Sequence, residues 1–271
     1  MSSQLTSKSP RRALPLQHAG LVSVVSDIEQ IRGMIPTPSR ASLAAKRTAD
    51  VIVASLGLLG LAPLLVLIAV AIKLDSPGPV LYLNERIGRG GRRFRLCKFR
   101  TMHREACRGK RYGADRAEAL FREIMGDPAH QEEFERTHKL RRDPRVTRLG
   151  AFLRRTSLDE LPQLVNVILG QISLVGPRPV MSYEVQKLEL LARGELERAG
   201  KTATQLCPCG YWETEWLKPG VTGYWQVTAR SQVGYEERLH MDLLYTMNWS
   251  LKLDLLIVLR TLGALAGHGA Y

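Results

Sequence analysis

The chain has 271 residues, enough for one large domain or two small ones. Its 45% hydrophobic and 24% charged content are those of a folded protein and exclude a disordered or fibrous class. A formal net charge of +13 points to an anionic partner, and an aromatic content of 6% gives little support to a base-stacking platform, which speaks against nucleic acid and leaves acidic lipid and phosphorylated substrates.

Residues 1–45 are predicted to be a loosely ordered tail, polar and punctuated by Pro10, Pro15, Pro36 and Pro38. Residues 46–78 hold the dominant feature. The stretch VIVASLGLLGLAPLLVLIAVAI at 51–72 carries no charge, and roughly 20 such residues cross a hydrocarbon core. It is too long and too far into the chain for a signal peptide. The competing reading is a buried core helix.

Both flanks are basic. Arg40, Lys46 and Arg47 precede the apolar stretch, and Lys73, Arg86, Arg89, Arg92 and Arg93 follow it. Basic flanks usually stay cytoplasmic, so neither end reads as the translocated side. A segment that enters and leaves on one face resolves this. Pro63 removes a backbone donor near the middle and is the expected break of a re-entrant helix.

Residues 79–271 form the remaining unit. Residues 79–100 read as two strands around Gly88-Arg89-Gly90-Gly91. Residues 115–140 read as helix, interrupted at Gly126-Asp127-Pro128. Residues 157–170 read as an amphipathic helix with Leu161, Leu164, Val165, Ile168 and Leu169 on one face. Residues 182–199 suggest a polar helix. Residues 249–266, opened by Trp249, suit either an interfacial membrane helix or a packed amphipathic one. The fold class is α+β, mainly helical, on a membrane-associated chain.

Four cysteines, Cys97, Cys107, Cys207 and Cys209, lack the second close pair of a zinc framework and fit a reduced, cytoplasmic setting. The chemistry concentrates at SLDELPQL, residues 157–164. Asp159 and Glu160 are adjacent carboxylates. One reading is structural: Ser157 and Glu160 form a capping box at a helix start. The other is functional. Arg154 and Arg155 precede the pair and Gly176-Pro177-Arg178-Pro179 follows, so carboxylates beside arginines could hold Mg²⁺ and a diphosphate together.

Several blocks then make a specific match. They are KRTADVIVASLGLLGLAPLLVLIAVAIKLDSPGPVLY from 46, KFRTM from 98, DPRVTRLGAFLRRTSLDELPQL from 143, SLVGPRP from 173 and KPGVTGYWQV from 218. In order and spacing the chain resembles the monotopic phosphoglycosyl transferases, also called bacterial sugar transferases. Within them it is most similar to the undecaprenyl-phosphate galactose and glucose phosphotransferases that begin exopolysaccharide synthesis.

The resemblance implies transfer of a hexose-1-phosphate from UDP-galactose or UDP-glucose to undecaprenyl phosphate, with release of UMP. It implies Asp159 as nucleophile, through a phospho-aspartate intermediate, and Glu160, with Asp159, as the Mg²⁺ carboxylates. Arg154 and Arg178 match phosphate-binding positions, and Lys98 and Arg230 are further candidates. For Arg178 the plainer reading is a turn residue, and for Lys98 a solvated strand residue. The implied location is the cytoplasmic face of the bacterial inner membrane, with the bilayer as partner and a homo-oligomer left open.

This chain departs from the family at three places. Ala62 replaces the serine of the helix break, Thr228-Ala229-Arg230 replaces a Gly-Arg turn, and 199–217 resembles an insertion. Two other functions compete: a membrane-anchored basic scaffold without catalysis, and an ordinary glycosyltransferase that leaves the phosphate behind.

Overall fold

The computed structural model describes residues 38–109, 112, 114–137, 140, 142–181, 217–228, 238, 241, 242, 244–246 and 248–266. The described part is mostly helical with a few short strands. The expected polar helix at 182–199, residues 199–216 of the insertion and Arg230 lie outside the described residues.

The apolar segment is one helix, α1 (Arg40–Asp75), with Pro63 inside it. Its start corrects the expected boundary. Residues 40–45 belong to the helix, because the Ser39 side chain accepts from the Ser42 N–H and caps it there. The helix is long and apolar enough to cross a membrane.

Only one face of α1 is covered. Asp50, Ala54, Ile68 and Ile72 are buried, while Ile52, Val53, Leu56, Leu59, Val66, Leu67, Val70 and Leu74 are exposed. Toward its start, α1 meets the second half of the chain: Asp50 accepts from the Ser173 hydroxyl at 2.8 Å and the Leu174 N–H at 3.0 Å. Toward its end, Ile68 and Ile72 pack with Phe99 and Leu153. Arg100 then donates to the carbonyls of Ser76 at 2.7 Å and Pro77 at 2.5 Å, just past the helix.

The predicted hairpin is present. Strand β1 (Leu81–Ile87) pairs antiparallel with β2 (Arg93–Phe99) around a 3₁₀ turn at Arg89–Gly91. The predicted interruption at 126–128 also appears, separating α2 (Ala114–Ile124) from α3 (Pro128–Thr137). Helix α4 (Arg148–Arg155) follows, capped by Thr147.

The helix expected over 157–170 is replaced by a 3₁₀ turn at Leu158–Glu160 and a short α5 (Gln163–Ile168). Its apolar stripe is split: Leu164 and Ile168 pack on the core, Val165 and Leu169 are exposed, and Gln163, Asn166 and Val167 are buried. Asn166 explains the split. Its side chain accepts from the Cys97 N–H and donates to the Arg95 carbonyl, satisfying the free edge of β2 from within α5. Of the stripe, Val165 and Leu169 are left exposed.

Strand β3 (Ser173–Val175) pairs in parallel with β4 (Gly220–Thr222). Two glycines permit this contact. A Cβ on Gly220 would lie 2.1 Å from the Gly176 nitrogen, and one on Gly176 would lie 2.3 Å from the Lys218 carbonyl oxygen. The family-like blocks SLVGPRP and KPGVTG are therefore two halves of one backbone-to-backbone junction. Helix α6 (Tyr224–Thr228) follows, and α7 (Leu251–Ala266) closes the described chain.

Helix α7 packs one face on the core and leaves an apolar face exposed. It buries Asp254 and Ile257, and it exposes Leu251, Leu255, Leu256, Leu259 and Leu262. Lys46 of α1 donates to Asp254 at 2.5 Å, Tyr245 donates to the other carboxylate oxygen at 2.7 Å, and Trp249 adds an indole N–H.

Candidate active site

The site grows from the end of α4. After Arg155 the backbone turns through Ser157, whose φ of 57° and ψ of 15° are left-handed. A serine held there is strained, and such strain gathers where geometry matters more than local preference. The capping box expected of Ser157 and Glu160 does not form, because the Ser157 side chain makes no capping hydrogen bond. The left-handed turn places the next three residues in a 3₁₀ turn against β2.

Each residue of that turn has a separate task. Leu158 packs beside Phe99, Leu153 and Ile72 and anchors the turn to the core. Glu160 receives the Lys98 ammonium at 2.5 Å. Asp159, between them, is 8% exposed. Burial raises its carboxyl to about 6, while the charges of Lys98 and Arg154 pull it down and that of Glu160 pushes it up.

KFRTM is the frame of the site, since side chains alternate along a strand. Lys98 faces the carboxylates and Phe99 enters the core. Arg100 grips the exit of α1. Thr101 accepts from the Arg154 Nε at 2.9 Å, and its carbonyl accepts from the Thr147 N–H that begins α4. One five-residue run thus connects α1, the Asp159 turn and Arg154.

The structure therefore brings together Asp159, Glu160, Lys98 and Arg154. Lys98 is no solvated strand residue; it is half-buried in an ion pair. Arg178 has other partners. Its guanidinium lies 5.8 Å from the centre of the Trp225 ring, with Arg238 at 4.9 Å, and its backbone N–H donates to Asp242 at 3.3 Å. Burial pushes the fully enclosed Asp242 up to about 8 against the stabilising N–H and charge of Arg178.

Sequence reasoning missed Thr101, Asn166 and Asp242. Each is polar and buried, and only tertiary contact reveals its role. Asp50 carried a legible signal, a lone acid at the mouth of an uncharged run.

The donor set suits Mg²⁺. Asp159 and Glu160 offer hard carboxylate oxygens, and the charge of Glu160 already disfavours ionisation of Asp159, a conflict that a cation relieves. No group of three or more His, Cys, Asp or Glu gathers among the described residues, so the remaining ligands would be substrate oxygens and water.

Comparison with known proteins identifies the family. Residues 41–268 match the family described as bacterial sugar transferase. The exopolysaccharide production protein ExoY of Rhizobium meliloti (strain 1021) is 40% identical over 228 residues, which is 84% of this chain and 88% of that protein. The UDP-galactose-lipid carrier transferase of Erwinia amylovora is 36% identical over 262 residues, covering 96% of this chain but 49% of that protein. The UDP-glucose:undecaprenyl-phosphate glucose-1-phosphate transferase of Escherichia coli (strain K12) is 33% identical over 248 residues, 87% of this chain and 44% of that protein. The chain spans less than half the length of these two longer relatives.

Proposed function

Since the chain belongs to the bacterial sugar transferase family, we propose that it transfers a hexose-1-phosphate from UDP-galactose or UDP-glucose to undecaprenyl phosphate, releasing UMP, as the first step of exopolysaccharide synthesis. The observation that carries this reading is the buried Asp159 beside Lys98, Glu160 and Arg154.

A carboxylate oxygen of Asp159 attacks the sugar-linked phosphorus. A P–O bond forms, the P–O bond to UMP breaks, and UMP leaves with the electron pair. A phosphate oxygen of the polyprenyl carrier then attacks the same phosphorus and restores the carboxylate. Dividing the transfer into two steps predicts ping-pong kinetics. Burial suits Asp159 to this task, since a poorly solvated carboxylate near its pKa is easily engaged in a new bond.

Lys98 and Arg154 are placed to meet phosphate oxygens, Arg154 oriented through Thr101. Glu160 and Asp159 would hold Mg²⁺, which when bound neutralises the diphosphate. Arg178 extends the cationic surface from the neighbouring junction, and Arg230 is assigned by resemblance to the same phosphate-binding role.

The chain works from the cytoplasmic face of the inner membrane, with α1 entering and leaving on that face and bending at Pro63. Support comes from Asp50 and Ile72, some 33 Å apart along a helix at 1.5 Å per residue, both packed on one catalytic unit. The exposed leucines of α7, with Val165 of α5 and Leu169 just after it, rest in the membrane interface.

The test is nucleotide release by the membrane-embedded chain with Mg²⁺, a panel of UDP-sugars, and polyprenyl phosphate present or absent. Carrier-dependent UMP release supports the proposal and names the sugar. UDP release would replace it with an ordinary glycosyltransferase, and no release from folded protein with a scaffold.

A further inference from the structure

A second cationic cluster lies where α5 ends. Gly170 terminates that helix with φ of 75°, and two cations converge on it: a Cβ there would meet Arg47 Nη2 at 3.3 Å and Lys218 Nζ at 3.5 Å. Arg47 comes from α1 and Lys218 from the loop before β4. The charge of Arg89, at the exposed hairpin tip, also acts on Lys218.

The described neighbours neutralise this group only in part. The Arg47 guanidinium donates to the carbonyls of Val167 at 2.6 Å and Ile168 at 2.8 Å, which orients it but carries no full negative charge. Lys46 is matched by Asp254. Asp50, which accepts from Ser173 and Leu174, sets one negative charge against the three cations Arg47, Lys218 and Arg89. Burial, and then the charges of Arg47 and Arg89, hold the Lys218 ammonium below its usual range. Like charges held together in this way favour an anion between them.

The setting identifies the anion's carrier. Leu169, next to Gly170, is 65% exposed, and Val165 one turn earlier is exposed too. The outward face of α1 bears Ile52, Val53 and Leu56 just beyond Arg47. Cations at the rim of an apolar surface match a molecule with an anionic head and a hydrocarbon tail. The charges that act on Asp159 are those of Lys98, Glu160 and Arg154, a separate set.

We infer that Arg47 and Lys218, which converge on Gly170, form a head-group site for an anionic membrane phospholipid, separate from the reacting carboxylate, with Arg89 adding charge from the hairpin tip. A lipid phosphate held there ties the start of α1 and the end of α5 at one depth. The site rests on the reading that the apolar face meets lipid. Failure of that reading shows independently, as a chain that stays in solution without detergent.

The test is retention of lipid by the full chain in detergent, read by native mass spectrometry. The probes are phosphatidylglycerol and phosphatidylcholine of the same acyl chains, each added alone and in competition. The expected result is preferential retention of phosphatidylglycerol. The preference falls roughly fivefold for each cation removed in Lys218→Gln and Arg89→Gln, at unchanged thermal midpoint. Arg47 is left intact because it also holds the end of α5. Equal retention of both lipids, or an unaltered preference in the double variant, overturns the site. Retention of polyprenyl phosphate with rejection of phosphatidylglycerol overturns it in favour of the acceptor. Displacement of bound lipid by inorganic phosphate alone overturns the need for a tail.

Discussion

Lys98 on β2 donates to Glu160 across 2.5 Å, from a position 62 residues earlier in the chain. The pair fixes the strand to the 3₁₀ turn and sets a positive charge beside the buried Asp159 without bonding to it. Lys98 thus holds the turn in place and lowers the carboxyl it faces.

The pH dependence of turnover follows. In the proposed mechanism Asp159 must be ionised to attack, and burial raises its carboxyl to about 6. Nucleotide release is expected to fall as pH drops through about 6, as the nucleophile protonates. The Lys98 charge lowers that value, so Lys98→Gln is expected to move the acid limb upward while leaving Asp159 in place. Initial rates between pH 5 and 8 for both proteins check this. An identical limb in the variant would remove Lys98 from the account.

Asp159→Asn is expected to abolish UMP release and to stabilise the fold. The folded carboxyl at about 6 lies above its ordinary 3.8. Above pH 6 the buried charge therefore costs stability, and this cost disappears as pH falls toward 3.8. Removing the charge is expected to add on the order of 1–3 kcal/mol at pH 7.5 and almost nothing near pH 4. Thermal unfolding at the two pH values measures the difference.

Gly150→Ala is expected to damage the site from behind. Its Cβ would lie 2.0 Å from the Thr101 carbonyl oxygen, a backbone atom that cannot move aside without shifting the residue that holds Arg154. A loss of about 3 kcal/mol is expected, with nucleotide release falling further than stability alone accounts for. Rates measured well below the unfolding midpoint separate the two effects.

Lys46→Met is expected to loosen α7 from α1. It leaves Asp254 with two neutral donors, Tyr245 and Trp249, and removes its only described cation. Breaking such a shielded pair from one side costs roughly 3–5 kcal/mol, and Lys46→Met with Asp254→Leu is expected to recover part of it. Thermal unfolding of the single and double variants decides this.

The hairpin, the 126–128 interruption and the long apolar helix were legible because turn glycines, proline and uninterrupted hydrophobicity act locally. The Asp159-Glu160 pair was legible as chemistry but not as conformation. A capping pattern specifies a common helix start, and a left-handed Ser157 overrides it because the turn must meet β2. The apolar stripe of 161–169 is divided between the core, which takes Leu164 and Ile168, and the surface, which keeps Val165 and Leu169, because the polar side chain of Asn166 claims the edge of β2. The parallel pairing of 173–175 with 220–222 joins segments whose short runs carry no strand signal of their own.

The anchoring of α1 also sets a timetable for synthesis. Arg47 and Asp50 emerge with the apolar helix, yet their partners at Val167, Ile168, Ser173 and Leu174 lie 120 to 124 residues later, and Asp254 lies 208 residues after Lys46. At about 5–20 residues per second a ribosome needs roughly 6–25 seconds to deliver the nearer of these. For that interval the charged end of the nascent helix lacks these partners, so α1 is made first and the catalytic unit is completed on it afterwards.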